Sequence, residues 1–250
     1  MAAMGLLCGY TLMMKRARLY SLDKNAVSDL VFCAMAAALV GARGLYVIRF
    51  WNEEFAGRGF SDIFKIYQGG LVFFGGFACA GICVIVFSRL RRLPLGDVGD
   101  LFAAALPLGH ALGRIGCLLN GCCHGFEYHG PLAFSYNYLS QPTFPLQFFA
   151  ALGNGLICIA LLALERKRLF RGRLFFCYLV MYSIGRFLIE FGRGDYPEGQ
   201  LWHGLTPAQV TCLWLLPATL AVYAAVEFMH GRRGGGERPE RIGNGKHSKH

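Results

Sequence analysis

Long apolar runs, separated by short polar segments, constrain this chain more than any other feature of its sequence. A helix that spans a lipid bilayer needs about 20 predominantly apolar residues. Seven segments approach this pattern: 1–14, 27–48, 69–88, 98–119, 146–164, 174–192 and 207–229. The first of them is short for a full span. The sequence therefore predicts an all-α integral membrane protein with about seven transmembrane helices.

The composition agrees with a membrane protein and argues against several other classes. Of the 250 residues, 55% are hydrophobic and 16% are charged, whereas soluble domains average about 25% charged residues. The net charge of +10 belongs first to cytoplasmic loops in such a protein, so we expect no nucleic-acid partner. Most of the ten cysteines lie in apolar runs, where a thiol behaves as a small hydrophobe.

Basic residues alternate between the loops, and this alternation predicts the orientation of the chain. Most of the 25 Lys and Arg residues lie in the first, third and fifth loops and after the last apolar run. Basic loops stay in the cytoplasm, so the N-terminus is predicted to lie outside and the C-terminus in the cytoplasm. Residues 1–230 then form a single transmembrane domain, and residues 231–250 form a disordered basic cytoplasmic tail.

Charged side chains interrupt three of the predicted spans. They are Arg43, Arg114, Arg186 and Glu190. A charge at the bilayer centre costs roughly 2.5–3.5 kcal/mol on insertion scales. The spacing of Arg186, Glu190 and Arg193 predicts one shared helix face. These charges either neutralise one another and hold the helix in place, or they bind an anion near the outer leaflet. One carboxylate cannot neutralise three or four guanidiniums, and a phosphate would supply the missing charge.

The helix that carries Arg114 contains several glycines, so it has no side chain at these positions. They are Gly109, Gly113, Gly116 and Gly121. Small residues allow helices to pack closely, and they also leave room for a lipid headgroup beside the arginine. Both interpretations can hold together. His110 lies one turn before Arg114 and shares its face, where it is either hydrogen-bonded only or takes part in chemistry.

Two glycine pairs open the third apolar run, in Gln68-Gly69-Gly70 and in Gly75-Gly76. Glycine disfavours a conventional helix start. Exposed backbone N–H groups here could bind an anion, and tight packing is the alternative.

A group of possible zinc ligands follows the helix that carries Arg114. It consists of Cys117, Cys122, Cys123 and His124. Structural zinc sites usually need a second pair of spaced ligands, which is missing here, so we expect packing and no metal site.

Several motifs occur in a fixed order between residues 40 and 210. They are Gly41-Ala42-Arg43-Gly44-Leu45-Tyr46, Gln68-Gly69-Gly70, Gly75-Gly76, Gly113-Arg114-Ile115-Gly116 with Asn120-Gly121 and Gly125, Pro145-Leu146-Gln147, Tyr182, Arg186-Phe187-Leu188-Ile189-Glu190-Phe191, Arg193 and Gln209. In this ordered set the chain resembles the bacterial prolipoprotein diacylglyceryl transferase family. The Gly-Arg-x-Gly segment with its Asn-Gly continuation is the most specific part of the resemblance.

The resemblance implies a seven-helix enzyme of the bacterial inner membrane with its N-terminus outside. Such an enzyme moves the diacylglyceryl group of phosphatidylglycerol onto the lipobox cysteine thiol of a preprolipoprotein, and glycerol phosphate leaves. Its partners are then this lipid, the lipobox segment and the bilayer, and no cofactor or metal is implied.

The resemblance also implies roles for individual residues. Arg114 and Arg186 would hold the lipid phosphate and the charge that develops on the leaving group, and Glu190 would orient Arg186. His110 completes the predicted catalytic set. The predicted substrate-binding residues are Arg43, Gly69, Gly70, Gly75, Gly76, Asn120, Gly125, Tyr182 and Arg193.

The chain departs from the family pattern at several positions. A family His corresponds to Phe74, a family Asn and Glu to Cys117 and Cys122, a family Tyr to Met4, and a second His to Phe144. His110 or His124 could replace the missing base, since an imidazole suits thiol deprotonation near neutral pH. It is also open whether the arginines suffice without any His.

Three functions remain open from the sequence. The first is prolipoprotein diacylglyceryl transfer. The second is a related phosphatidylglycerol-dependent transferase with another acceptor, for which Phe74, Cys117 and Cys122 would be the signature. The third is a non-enzymatic seven-helix channel, transporter or lipid-binding protein. A transporter of this size often shows repeated halves, and the chain has no repeat of fixed period.

Overall fold

The computed structural model describes residues 1–56, 59–65, 69–167, 170–194 and 204–234. Gln68 of the first glycine motif lies outside the described residues, as do the loop residues Arg58 and Arg168. Residues 235–250, most of the predicted tail, also lie outside them.

The described part of the chain is helical and contains no β-strand. Its α-helices are α1 (Ala2–Arg16), α2 (Lys24–Arg49), α3 (Phe73–Leu90), α4 (Leu95–Asn120), α5 (Leu146–Glu165), α6 (Leu174–Glu190) and α7 (Pro207–Gly234). Five of these, α2 to α5 and α7, are long and apolar enough to cross a membrane. The prediction of an all-α integral membrane protein is therefore confirmed, whereas α1 and α6 are shorter than a typical span.

The predicted boundaries agree with the helices except at two ends. α3 begins at Phe73, four residues after the predicted start at Gly69. Gly69 and Gly70 have φ values of +89° and +77°, which no right-handed helix accommodates. At the other end of the chain, α7 continues to Gly234, past the predicted start of the tail at residue 231.

Helix α4 occupies the centre of the bundle and packs against α1, α5 and α6. Glycines allow the approach of α1, because a Cβ at Gly5 would lie 3.0 Å from the carbonyl oxygen of Gly109. A Cβ at Gly116 would lie 2.7 Å from the Cβ of Met1. The predicted close packing of the glycine-rich helix is therefore present on its α1 side.

Large apolar side chains cover the outside of the bundle. Val40, Ile48, Leu90 and Trp214 are each more than 70% exposed. Such a surface is unfavourable in water and suits a lipid environment, in which these side chains contact acyl chains.

A buried polar network joins four helices at the end of the bundle that carries the basic loops. Arg16 is 4% exposed, and its Nη2 lies 2.6 Å from Oε1 of Glu165. The same nitrogen donates to the carbonyl oxygen of Asp100 at 3.1 Å. The Asp100 carboxylate in turn accepts from the N–H of Leu174 at 2.9 Å, at the start of α6. Burial and the hydrogen bond to Glu165 raise the pKa of Tyr20, so its hydroxyl stays a donor in this network.

Helices α2 and α3 form a tightly packed pair through glycine contacts. A Cβ at Gly41 would contact the carbonyl oxygen of Gly75 and would lie 2.5 Å from the Cβ of Cys79. A Cβ at Gly76 would lie 2.9 Å from the carbonyl oxygen of Ala38. The two helix backbones therefore meet most closely at Gly41 and Gly75, where neither carries a side chain.

Replacing Gly41 with alanine is expected to destabilise the protein, although alanine is a better helix former by about 1 kcal/mol. Overpacking of this kind costs about 1–3 kcal/mol because the neighbouring backbone cannot yield. Gly44 lies on the same helix, and a Cβ there would meet nothing within 4 Å, so Gly44→Ala is the matched control. Thermal unfolding of the detergent-purified variants measures both effects, and equal midpoints would contradict the packing explanation.

Candidate active site

Helices α4 and α6 bring the intramembrane charges together. His110 and Arg114 lie one turn apart on α4, and Tyr182 and Arg186 lie one turn apart on α6. The rings of His110 and Tyr182 are 5.4 Å apart, and the Tyr178 hydroxyl lies 3.4 Å from Nδ1 of His110. Arg114 and Arg186 each follow one member of this ring pair by four residues, so they lie on the same faces of α4 and α6 as the two rings. The helical pairing therefore creates one polar cluster from residues 68 or more positions apart.

Glu190 neutralises one of the two arginines. Nη1 of Arg186 lies 2.7 Å from Oε2 of Glu190, one turn further along α6, and the Glu190 side chain is fully buried. Its Oε1 accepts a hydrogen bond from the Thr206 hydroxyl at 3.1 Å. A buried carboxylate held on both oxygens fixes the position of the guanidinium that it pairs with.

A capping box at the start of α7 holds the Thr206 hydroxyl in place. The N–H of Gln209 donates to Oγ1 of Thr206 at 3.2 Å, and the N–H of Thr206 donates to Oε1 of Gln209 at 2.9 Å. Pro207 between them suits the first position of a helix. The Thr-Pro-Ala-Gln pattern is a sequence signature of this box, so Thr206 is a site residue that the sequence analysis missed although the signal was present.

Arg114 differs from Arg186 because no carboxylate among the described residues pairs with it. It is half-buried, and within the described ranges no hydrogen bond to its guanidinium is present. A Cβ at the adjacent Gly113 would meet nothing within 4 Å. The glycine-rich helix therefore packs on α1 through Gly109 and Gly116, and the position beside Gly113, next to Arg114 in the sequence, is not filled by another element.

Arg43 holds the loop between α2 and α3. Its guanidinium donates to five backbone carbonyls, those of Ile63 (2.7 Å), Gly69 (2.9 Å), Gly70 (3.0 Å), Asp62 (3.0 Å) and Lys65 (3.5 Å). A guanidinium has five N–H groups, so all of them are used within the protein. If Arg43 takes part in substrate binding, as predicted, it does so indirectly, by holding this loop in position.

Replacing Arg43 with lysine should loosen this loop while keeping the charge. Lysine offers three donors from a point charge and cannot match the fork. Carbonyls left without a donor cost about 1–3 kcal/mol. Arg49, exposed at the end of the same helix, contacts the ring of Phe50, and its lysine variant should stay within about 0.5 kcal/mol. Chemical or thermal unfolding of the two purified variants compares them, and similar losses would argue against the anchoring role.

The four glycines of the two pairs have different positions. Gly69 and Gly70 turn the chain with positive φ, and their carbonyls face Arg43. The N–H groups of Gly75 and Gly76 both point to the carbonyl of Val72, at 3.2 and 3.4 Å. The second pair thus starts α3 and packs on α2, which is the alternative that the sequence left open, and its N–H groups already have an acceptor.

The segment between α4 and α5 folds back as an aromatic arm, residues 121–145. Phe144 stacks on Phe126 with ring centroids 5.5 Å apart. From the start of α5, Gln147, which is 1% exposed, donates to the carbonyl of Cys122 at 2.9 Å and to the Tyr136 hydroxyl at 3.3 Å. Burial raises the pKa of Tyr136, so its hydroxyl remains protonated at neutral pH.

The arm also contacts the end of α6. The N–H of Gly125 donates to the carbonyl of Phe144 at 3.0 Å, and Gly125 pairs with Arg193 in an isolated bridge. A Cβ at Gly125 would lie 2.8 Å from that carbonyl oxygen. Since α6 ends at Glu190, the helical spacing applies to Arg186 and Glu190 but not to Arg193. Asn120, the last residue of α4, is exposed beside the arm.

The positions that depart from the family pattern lie apart from the α4–α6 cluster or at its edge. Phe74 is 56% exposed on the outer surface of α3, and Met4 is 51% exposed on α1. Phe144 belongs to the aromatic arm, where its ring stacks on Phe149 at 5.0 Å. Between the two histidines considered as a base, His110 lies in the cluster, whereas Nδ1 of His124 lies 3.0 Å from the carbonyl of its neighbour Gly125.

Comparison with known proteins finds relatives along most of the chain. The family model described as prolipoprotein diacylglyceryl transferase matches residues 1–225. The chain is 34% identical over 204 residues to the phosphatidylglycerol–prolipoprotein diacylglyceryl transferase of Clostridium novyi (strain NT), which covers 77% of each chain. It is 31% identical over 224 residues to the protein of that name from Listeria monocytogenes serotype 4b (strain CLIP80459), covering 84% of this chain and 78% of the relative. It is 27% identical over 243 residues to phosphatidylglycerol–prolipoprotein diacylglyceryl transferase 2 of Clostridium perfringens (strain 13 / Type A), covering 95% of this chain and 93% of the relative.

Proposed function

The chain belongs to the prolipoprotein diacylglyceryl transferase family, and from this premise we propose how the α4–α6 cluster carries out the reaction. The protein is an enzyme that transfers a diacylglyceryl group from phosphatidylglycerol to prolipoproteins. This function was the first of the three that the sequence left open, and it is confirmed. The roles of the individual residues are our proposal.

The chemistry requires one bond to break and one to form at a glycerol carbon. The bond from this carbon to the phosphate oxygen breaks, and a bond to the sulfur of the lipobox cysteine forms. The product is a thioether, glycerol phosphate leaves with the bonding electron pair, and the thiol proton must go to a base or to water. Negative charge therefore grows on the phosphate as it leaves, and fixed positive donors near it lower the barrier.

Arg114 is the residue that we assign to the phosphate of the lipid. The observation that carries this assignment is the charge imbalance, because α4 and α6 bring two arginines to the His110–Tyr182 pair while the buried Glu190 pairs with Arg186. A phosphate would supply the missing negative charge, and the guanidinium fork matches its oxygens. The space beside Gly113 leaves room for the headgroup.

Arg186 is assigned to the charge that develops on the leaving group, and Glu190 to its orientation. The ion pair at 2.7 Å keeps one side of the guanidinium occupied, so the remaining N–H groups have a restricted direction. A donor that is oriented before the reaction needs no reorganisation when charge develops. Thr206 and Gln209 support this arrangement from α7.

His110 is assigned to the proton of the acceptor thiol. It is the histidine of the α4–α6 cluster, one turn before Arg114, with Tyr178 and Tyr182 beside its ring. An imidazole is the side chain best suited to accept a proton near neutral pH. Tyr182 is assigned to the wall of the headgroup site.

The remaining predicted residues are assigned to the walls and the arm of the substrate site. Asn120, Gly125 and Arg193 lie where α4, the aromatic arm and the end of α6 meet. Gly69 and Gly70 would meet the lipid through the loop that Arg43 holds. Gly75 and Gly76 would contribute by setting the α2–α3 packing that positions this loop.

The membrane arrangement is also part of the proposal. We place seven helices across the inner membrane, with the N-terminus outside and the C-terminus in the cytoplasm, because basic loops favour the cytoplasm. The α4–α6 cluster then opens toward the outer leaflet, where a lipobox segment and phosphatidylglycerol can both reach it. Residues 1–230 are assigned to one transmembrane domain and residues 231–250 to a basic tail.

A transfer assay with purified protein tests this proposal. Phosphatidylglycerol and a peptide with one lipobox cysteine are supplied, and peptide mass and glycerol phosphate release are followed together. A thioether-linked diacylglyceryl peptide with equal glycerol phosphate is the expected result. Release of the headgroup without peptide modification would contradict the proposed acceptor.

A further inference from the structure

Three cysteine thiols come together at the outer end of α4, and the proposed reaction does not use them. The Sγ atoms of Cys117, Cys122 and Cys123 all lie within 4.8 Å of one another. Gly121, with φ +75°, ends α4, and Cys123, with φ +61°, turns the chain again. These two left-handed residues fold the chain back over the last turn of α4. The three thiols therefore come together although the sequence lacks the second pair of spaced ligands that is usual for zinc sites.

Neighbouring side chains hold this turn in position. The Tyr138 hydroxyl donates to the carbonyl of Gly121, and the buried Gln147 amide donates to the carbonyl of Cys122 at 2.9 Å. The Cys122 thiol points back to the carbonyl of Cys117 at 4.0 Å. Hydrogen bonds from the aromatic arm and from α5 thus fix the backbone that carries the thiols. Groups that hydrogen-bond around metal ligands orient those ligands in the same way.

We propose that Cys117, Cys122 and Cys123 form a three-thiolate zinc site whose fourth position binds the acceptor thiol of the prolipoprotein. A zinc–sulfur bond is about 2.3 Å long, so the sulfurs of a tetrahedral site lie about 3.8 Å apart. From separations within 4.8 Å, the sulfurs need to approach by about 1 Å at most. Rotation of the thiol side chains covers such a distance without a change of fold.

The donor set and the surroundings favour zinc with an open position. Soft thiolates select zinc or monovalent copper among common metals. Zinc prefers four ligands, and catalytic zinc sites use three protein ligands and leave the fourth for water or substrate. Three thiolates and a divalent ion carry one net negative charge, and a fourth thiolate adds another. Arg114 lies three residues before Cys117 on α4, so it is on the same side of the helix as this thiolate.

This inference rests on the proposed function and adds the way in which the acceptor is held. Bound to zinc, the acceptor sulfur would sit near Arg114, where the lipid phosphate is proposed to lie. The S–H proton leaves to the base of the proposed function or to water as the zinc–sulfur bond forms. The carbon–sulfur bond then forms as the carbon–oxygen bond breaks, and the thioether product is a weaker zinc ligand than a thiolate, so it can depart.

The test uses the full chain, purified in detergent and loaded with Co²⁺, a coloured substitute for zinc. Tetrahedral thiolate coordination gives Co²⁺ intense visible and near-ultraviolet absorption. We expect about one site per chain, and a change of the spectrum when a lipobox peptide with cysteine is added. The same peptide with serine should leave the spectrum unchanged, and no transfer is needed for this readout.

Two cysteine variants show whether the metal binds at the thiol cluster. Cys122→Ser removes one thiolate at an exposed position and should weaken Co²⁺ and Zn²⁺ binding by at least about tenfold. Cys33→Ser changes an exposed thiol on α2 and should bind as wild type. Unchanged metal binding in Cys122→Ser, identical spectra with the two peptides, or a disulfide within the cluster of the purified chain would each overturn the proposal. Arg114→Ala should keep the spectrum while losing transfer, which separates this inference from the proposed function.

Discussion

Replacing Arg114 with alanine is expected to lower the rate of diacylglyceryl transfer by about 10²–10³-fold, the usual loss for one donor to a developing anion. No carboxylate in the described part of the chain pairs with Arg114, so its removal leaves no buried negative charge behind. The fold should therefore persist, with the thermal midpoint and membrane insertion close to wild type. The transfer assay with phosphatidylglycerol and a lipobox peptide measures the loss of activity.

Two further variants show whether the charge itself or its geometry matters. Arg114→Lys keeps the charge but loses the fork, and we expect intermediate activity because a phosphate prefers two parallel donors. Arg89→Ala removes an exposed arginine at the end of α3 and should transfer at the wild-type rate. If Arg114→Ala retained full activity, the assignment of Arg114 to the lipid phosphate would be wrong.

Much of the fold could be predicted from the sequence because each apolar run has to become a helix in a membrane. Backbone N–H and C=O groups have no water to bond with in lipid, so a long apolar run has little choice. The helix ends from Leu146 to Glu165 and from Leu174 to Glu190 therefore lie close to the predicted ends. The start of α3 was predicted less well, since the left-handed Gly69 and Gly70 place it at Phe73.

The electrostatic part of the candidate site could also be predicted, because charges in apolar runs are costly and therefore informative. The sequence pointed to Arg43, Arg114 and Arg186 together. Their position in apolar runs alone did not distinguish them, since their roles depend on which partners the fold supplies. Arg43 donates to five backbone carbonyls, Arg186 pairs with Glu190, and Arg114 pairs with no carboxylate in the described part of the chain.

Other features depended on contacts that a linear pattern does not contain. The thiol cluster arises from left-handed residues after α4, whereas ligand spacing alone argued against a metal site there. The packing of Gly75 on Gly41 needs the pairing of α2 with α3. Motifs within one turn, such as the Thr206–Gln209 capping box, were readable in principle because local hydrogen bonds form them.

Replacing Arg186 with alanine should reduce both activity and stability, in contrast to Arg114→Ala. Transfer should fall by about 10²–10³-fold because a donor to the leaving group is lost. Stability should fall by about 3 kcal/mol, since the fully buried Glu190 carboxylate loses its ion-pair partner. Unfolding midpoints and transfer rates measured on the same preparation give the two effects separately.

The double variant Arg186→Ala/Glu190→Gln separates the structural role of the ion pair from its role in the reaction. Glutamine is neutral and keeps an oxygen that can accept from the Thr206 hydroxyl, so most of the lost stability should return. Transfer should remain as low as in Arg186→Ala, because the leaving phosphate still lacks its donor. Glu190→Gln alone should keep most of the stability and lose activity to a smaller extent, since the guanidinium is present but less well oriented. Recovery of transfer in the double variant would mean that Arg186 serves only to neutralise Glu190, and the leaving-group role would then have to be given up.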